Sequence, residues 1–210
     1  MKRSLLAFEI LVLFVIPPLL IFYEIIPRKP FPYIIIATLY ALAILNRQAK
    51  LTSTMFWGQN YSRQSLFKSL RQCLVATLFI AGFVLIFYPE MFLSFPLERP
   101  KIWLLVTLLY PLLSALPQEL IYRTFFFSRY QDFFGSEKVT IIASTLLFAY
   151  AHMIYLHPVS ILFCLVGGFI FSLSYVRTRA LLFPALEHAL LGLAVFTLGI
   201  GKFFYHGAVK

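Results

Sequence analysis

Residues 102–123 read IWLLVTLLYPLLSALPQELIYR, and the run up to Pro117 contains no charged residue. An apolar run of this length predicts a membrane-spanning helix. Glu119 and Arg123 follow it directly, four residues apart, so they share one face of the helix. Charged groups at membrane depth are costly unless they are paired, and they commonly mark functional sites. This segment therefore predicts a transmembrane helix that carries part of a candidate site.

The composition of the whole chain supports a membrane protein. Of its 210 residues, 61% are hydrophobic and only 12% are charged, which exceeds what a soluble domain of this size can bury. We expect an all-α, polytopic transmembrane helix bundle in one domain, residues 1–210. In a soluble chain the net charge of +10 would suggest nucleic acid. In a membrane protein, basic loops instead contact anionic lipid headgroups, so we expect membrane lipids as partners and no nucleic acid.

Apolar segments separated by polar ones predict about seven spans. Between the second and third, Gln48–Arg71 mixes basic residues with aromatic ones, which is typical of an interfacial helix. With the N-terminus inside, lysine and arginine favour the inner segments two to one, so we expect an integral protein of the bacterial inner membrane with its N-terminus inside. The predicted spans are Leu5–Ile26, Pro32–Leu45, Cys73–Tyr88, Ile102–Ile121, Val139–Tyr155, Val159–Val176 and Ala180–Ile200.

Two further spans each contribute a histidine, the residue type most often used for proton transfer near neutral pH. His152 ends the segment that begins at Phe148, and His188 follows Glu187 in the last span. Adjacent residues point about 100° apart on a helix, so Glu187 and His188 cannot face one point. We expect one of them to orient the helix while the other enters the site. A purely structural role for the pair of Glu119 and Arg123 remains an equal alternative.

A metal site is a further alternative. His152, His188 and one of the two glutamates would supply the three ligands that zinc needs, but no two histidines are spaced to bind it from one helix. We therefore expect no cofactor and leave zinc as an open alternative. His206, in the C-terminal tail, could fold back over the site, although no motif supports this.

The order of these motifs resembles the CPBP family of intramembrane proteases, which includes CAAX prenyl endopeptidases and Abi-like bacteriocin-processing or immunity proteins. The resemblance covers about residues 112–200. The family's Glu-Glu-x-x-x-Arg falls on Gln118, Glu119 and Arg123, its Phe-x-x-x-His on Phe148 and His152, and its His-x-x-x-Asn on His188 and Gly192.

The resemblance implies that a glutamate and the second-motif histidine activate a water, while the last histidine and the asparagine stabilise the oxyanion. Two positions depart from the pattern, because Gln118 cannot act as a general base and Gly192 offers no side-chain donor. The hypothesis is an intramembrane endopeptidase acting on a membrane-associated or lipidated substrate, such as a prenylated peptide, a leader peptide or a membrane-protein loop.

In this hypothesis Glu119 is the base, held by Arg123, and His152 shares the water. His188 stabilises the oxyanion, and Gln118, Phe148, Glu187 and His206 have supporting roles. One alternative is a non-catalytic CPBP-like immunity or substrate-binding protein. Another is a proton-coupled transporter, which the absence of an internal repeat disfavours.

Overall fold

The computed structural model describes residues 3–58 and 62–204, which form helices and turns without a β-strand. The expected all-α architecture is confirmed. His206 lies outside the described residues. Within the described residues, six helices are long and apolar enough to cross a membrane, and a seventh apolar helix, Leu182–Thr197, is shorter. The protein is therefore a polytopic helical membrane protein.

The helices follow in chain order, with short loops between them. We number them α1 (Arg3–Phe22), α2 (Pro30–Arg47), α3 (Ser53–Trp57), α4 (Arg63–Phe87), α5 (Ser94–Glu98), α6 (Pro100–Phe134), α7 (Glu137–Tyr155), α8 (Pro158–Thr178) and α9 (Leu182–Thr197). Short 3-10 turns at Pro89–Met91 and Ile200–Phe204 complete the described chain, and α7 ends in another at His152–Tyr155.

The segment between the second and third spans differs from the prediction. The interfacial helix expected over Gln48–Arg71 is replaced by the short α3 and by the first turns of α4. Helix α4 begins at Arg63 because the Ser62 hydroxyl accepts a hydrogen bond from the backbone N–H of Ser65, an N-terminal cap. The polar and basic residues from Arg63 to Arg71 therefore form the end of a long span.

Helix α6 positions the site. It contains two wide π-type turns, Pro111–Ala115 and Leu120–Phe125. The first begins at a proline, which has no N–H for the helical hydrogen-bond ladder. Every residue from 118 to 127 is buried, whereas the preceding turns expose leucines to the surroundings. The middle of α6 is thus enclosed by other helices, and its first turns face lipid.

The other helices enclose this buried stretch of α6. Helix α7 packs extensively against α8, and α9 packs against α8, α4 and the middle of α6. Exposed apolar side chains are numerous on α1, α2 and α4, as lipid-facing surfaces require. The enclosed region between α6, α7, α8 and α9 brings together the side chains considered next.

Candidate functional site

Glu119 and Arg123 form a completely buried ion pair in the middle of α6. Arg123 Nε lies 3.1 Å from Glu119 Oε2, and neither side chain has any exposed area. The wide turn Leu120–Phe125 begins directly after Glu119 and includes Arg123. Such π-type turns are often found at functional sites because they redirect side chains within a helix.

Arg123 is held from two neighbouring helices. Its Nη1 donates to the Ser144 hydroxyl at 3.0 Å, and its Nη2 donates to the Gly168 carbonyl at 3.3 Å. The Ser144 hydroxyl in turn donates to the backbone carbonyl of Tyr122 at 2.7 Å. These contacts fix the guanidinium between α6, α7 and α8, so the charge opposite Glu119 is immobile.

His188, on α9, contacts the other oxygen of the carboxylate. Its Nδ1 lies 2.8 Å from Glu119 Oε1. The charges of Glu119 and Arg123 balance, so a neutral His188 must carry its proton on Nδ1 and donate it to the carboxylate. This tautomer leaves Nε2 of His188 with a free lone pair. The Glu119 carboxylate therefore orients the imidazole through its Nδ1 atom.

His152, at the end of α7, has the same tautomer for a different reason. Its Nδ1 donates to the Phe148 backbone carbonyl at 2.7 Å, which leaves Nε2 as the acceptor nitrogen. Both histidines are among the residues that line one cavity, and in these tautomers each keeps one acceptor nitrogen. Such a pair can accept two hydrogen bonds from one water molecule.

The ring of Phe148 contacts both histidines and Arg123. Its ring centroid lies 4.6 Å from that of His152 and 5.5 Å from that of His188. The guanidinium carbon of Arg123 lies 5.0 Å from the same centroid, a cation–π contact. The ring of Phe171 stacks on His188 at 4.9 Å and 14°. These aromatic contacts set the orientation of both imidazoles.

The cavity in front of the histidines has a volume of about 630 Å³ and a mainly apolar lining. Its size lies within the range typical of small-molecule sites. Several lining side chains are also exposed at the outer surface, among them Phe79, Leu105 and Leu113. The cavity therefore extends to the lipid-facing surface of the bundle, and an apolar ligand could reach it from the bilayer.

Gln118 is the polar side chain that follows the apolar run and lines this cavity. Its amide nitrogen donates to the Ser114 hydroxyl at 2.8 Å. One of its two N–H groups is thereby used, and the second is available to a ligand. Glu119, by contrast, is completely buried and is not part of the cavity wall.

Glu187 points away from the site, in agreement with its expected divergence from His188. Its Oε1 accepts a hydrogen bond from the Ser174 hydroxyl at 2.9 Å and lies 3.6 Å from Nη2 of Arg177. Arg177 also donates to the Ser69 hydroxyl. Glu187 thus belongs to a separate polar cluster that joins α4, α8 and α9.

The described candidate residues do not come together as a set of metal ligands. Among residues 3–58 and 62–204, no three His, Cys, Asp or Glu side chains lie close enough together to hold an ion. The sequence reasoning also missed Ser144 and Tyr110, which contact Arg123 and His188 respectively. Neither carries a recognisable motif, and only long-range packing brings them to the site.

The comparison with protein families agrees with the motifs. Residues 100–194 match the family model for type II CAAX prenyl endopeptidase Rce1-like proteins. This part of the chain is Rce1-like. The match covers less than half of the 210 residues, and it contains α6, α7, α8 and most of α9. The resemblance to the CPBP family is therefore confirmed. No curated protein and no solved structure matches the chain.

The Rce1-like match covers every motif of the candidate site. It extends from the first turn of α6 through Gln118, His152 and Gly192. It begins earlier than the resemblance deduced from motifs, which started at about residue 112, and so includes Tyr110. The proteins of the matched family are described as type II CAAX prenyl endopeptidases.

Proposed function

We propose that this chain is an active intramembrane endopeptidase that hydrolyses a peptide bond of a membrane-associated or lipidated substrate. The observation that carries the proposal is the hydrogen bond from His188 to the buried Glu119, with His188 lining an apolar cavity. A buried carboxylate behind an imidazole fixes the tautomer and stabilises the imidazolium that forms when the ring accepts a proton. This couple suits general base catalysis.

In the proposed reaction, the two acceptor nitrogens of His152 and His188 hold one water. Its oxygen attacks the carbonyl carbon of the scissile peptide bond while one of its protons passes to Nε2 of His188. The proton then moves from His188 to the leaving nitrogen, and the C–N bond breaks. The products are a carboxylic acid and an amine, and His188 returns to its neutral form.

This division of roles modifies the expectation that Glu119 itself is the base. Both carboxylate oxygens of Glu119 already face a partner, His188 on one side and Arg123 on the other. Because Glu119 is absent from the cavity wall, we assign it an orienting role and assign proton transfer to His188. Gln118 then need not be a base, and its free N–H can donate to the substrate.

The cavity and the family match together suggest the substrate. An apolar cavity that reaches lipid suits a chain of isoprenoid or other hydrocarbon, and the matched family is described as one of CAAX prenyl endopeptidases. We therefore propose the C-terminal peptide of a prenylated protein as the first candidate. A leader peptide and an unlipidated loop of a membrane protein are the other substrates to compare. The inner-membrane location and inside N-terminus stay predictions from the distribution of basic residues.

The test is cleavage by the purified protein in lipid vesicles. Three peptide substrates are compared: a prenylated C-terminal peptide, its unprenylated form and a leader peptide, each with the wild type and with His188→Gln. We expect the wild type to cleave the prenylated peptide best and His188→Gln to cleave it about 10²–10⁴-fold more slowly. Tight binding of the prenylated peptide without cleavage by the wild type would refute the endopeptidase and favour a substrate-binding protein, the alternative suggested by Gln118.

A further inference from the structure

Gly192 lies one helical turn after His188 on α9, so the two positions share a face of that helix. A side chain at position 192 is excluded by Tyr110. A Cβ atom built there would overlap with Tyr110 Oη and lie 2.5 Å from its Cε1 and Cζ atoms. The phenol ring therefore occupies the space that any larger residue at this position would need. Glycine at 192 and tyrosine at 110 are complementary in shape.

Tyr110 is held firmly beside His188. Its ring centroid lies 6.0 Å from that of His188 and 5.5 Å from that of Phe196, both in edge-on arrangements. The residue immediately precedes Pro111, where the first wide turn of α6 begins. Tyr110 also lines the same cavity as His152 and Gln118. Its position is thus determined by the packing of α6 against α9.

The hydroxyl of Tyr110 is an available donor. Among the hydrogen bonds of residues 3–58 and 62–204, none involves Tyr110 Oη, although a phenol O–H usually has a partner when it is enclosed. The two histidines present acceptor nitrogens to the cavity, so neither can donate to a carbonyl oxygen before the proton transfer. The attack of water on a carbonyl creates negative charge on that oxygen, and donors must already be in place to stabilise it.

We propose that Tyr110 is a catalytic residue whose hydroxyl donates a hydrogen bond to the carbonyl oxygen of the scissile bond, taking the role that a side-chain amide at position 192 would have. This inference rests on the proposed endopeptidase function. It explains how Gly192 is compatible with an active enzyme, because the donor comes from α6 instead of α9. The second N–H of Gln118 is another donor on the cavity wall.

The first test is Tyr110→Phe, which keeps the ring and removes one oxygen atom. Loss of one oxyanion donor lowers kcat by about 10²–10³-fold in well-studied enzymes, and we expect a decrease of this order with little change in KM. Thermal unfolding in the same vesicles verifies that the variant is folded. A kcat within threefold of the wild type, or a change confined to KM, would overturn the inference while leaving the proposed function intact.

The second test moves the hydrogen-bond donor from Tyr110 on α6 to a side-chain amide at position 192 on α9. Gly192→Asn alone should be inactive, because its side chain overlaps with the Tyr110 ring. The double variant Tyr110→Ala/Gly192→Asn has room for the amide, and we expect its kcat to exceed that of Tyr110→Ala by at least tenfold. Equal rates for these last two variants would contradict the exchange. If the wild type cleaves no substrate, the proposed function fails and the role of Tyr110 fails with it.

Discussion

Among the described residues, Glu119 and Glu187 are completely buried glutamates that each face an arginine, but their surroundings differ. Glu119 faces Arg123, and its second oxygen contacts His188, which lines the apolar cavity. Oε1 of Glu187 faces Arg177, and the same oxygen accepts a hydrogen bond from the Ser174 hydroxyl. Both carboxylates are completely buried, so burial of a charge does not distinguish a candidate catalytic group from a structural one.

The difference lies in what the carboxylate orients. The Ser174 hydroxyl donates to Glu187 and accepts from Arg177. These contacts join helices, and neither Glu187 nor Ser174 lines the cavity. The imidazole beside Glu119 belongs to a residue that lines the cavity, so the charge of the carboxylate can act on a ligand through the ring. His188 and Glu187 are neighbours in sequence, yet they serve these two different clusters because they point to different sides of α9.

The largest effect is expected from removal of the imidazole itself. His188→Gln keeps a polar side chain but removes the acceptor that takes the proton from water. General base catalysis contributes about 10²–10⁴-fold, so we expect the initial rate of cleavage in vesicles to fall by this factor. The matched control is His157→Gln, since His157 stacks on Phe203 and does not line the cavity. Equal loss in both variants would contradict a specific role for His188.

The next prediction compares the stability and the cleavage rate of variants that remove one or both charges of the Glu119–Arg123 pair. Glu119→Leu leaves Arg123 as a buried charge without its carboxylate, and breaking such a pair costs about 3–5 kcal/mol of unfolding free energy. Glu119→Leu/Arg123→Met removes both charges and should recover most of that stability. We expect neither variant to cleave, because His188 loses its orienting partner. Denaturant unfolding in mixed micelles gives the stability, and a double variant that cleaves normally would show that the pair is only structural.

A smaller effect compares one serine from each cluster. Ser144 accepts a hydrogen bond from Arg123 at 3.0 Å, and Ser174 accepts one from Arg177 at 3.3 Å. Both serines are buried, and each substitution to alanine should cost about 1–3 kcal/mol of unfolding free energy, because a buried polar partner loses its hydrogen bond.

Only Ser144→Ala should also slow cleavage, by several-fold, since it loosens the arginine opposite Glu119. The measurement is the cleavage rate of both variants at equal folded fraction. Equal cleavage rates in the two variants would mean that Arg123 does not need this support to hold Glu119 in place.

Much of the fold follows from local patterns in the sequence. Uncharged runs such as the one before Gln118 predict spans, and helical geometry predicts that Glu119 and Arg123 share a face and that Glu187 and His188 diverge. These relations involve residues close in the chain. The wide turn Leu120–Phe125 and the start of α4 at Arg63 were not predicted, because the apolar pattern alone does not reveal a change of hydrogen-bond register or a serine cap.

The assembly of the site depends on contacts between distant residues. The packing of α6 against α9 brings Glu119 into hydrogen-bond contact with His188. The same packing places Tyr110 in the space beside Gly192. Glu119 is on α6 and His188 is on α9, so three connections between helices lie between them in the chain. No periodicity of the sequence relates two residues so far apart. The sequence could therefore identify most of the candidate residues, but not which of them line the cavity and which support it.

The most direct test of this account is to compare cleavage by Glu119→Gln and Glu187→Gln under identical conditions. Each variant replaces one completely buried carboxylate that faces an arginine, and the initial rate on the prenylated peptide is measured at equal amounts of folded protein in vesicles. We expect Glu119→Gln to lose cleavage, because an amide lacks the negative charge that stabilises the imidazolium of His188, while Glu187→Gln cleaves at the wild-type rate. Full activity in Glu119→Gln, or equal losses in both variants, would contradict it.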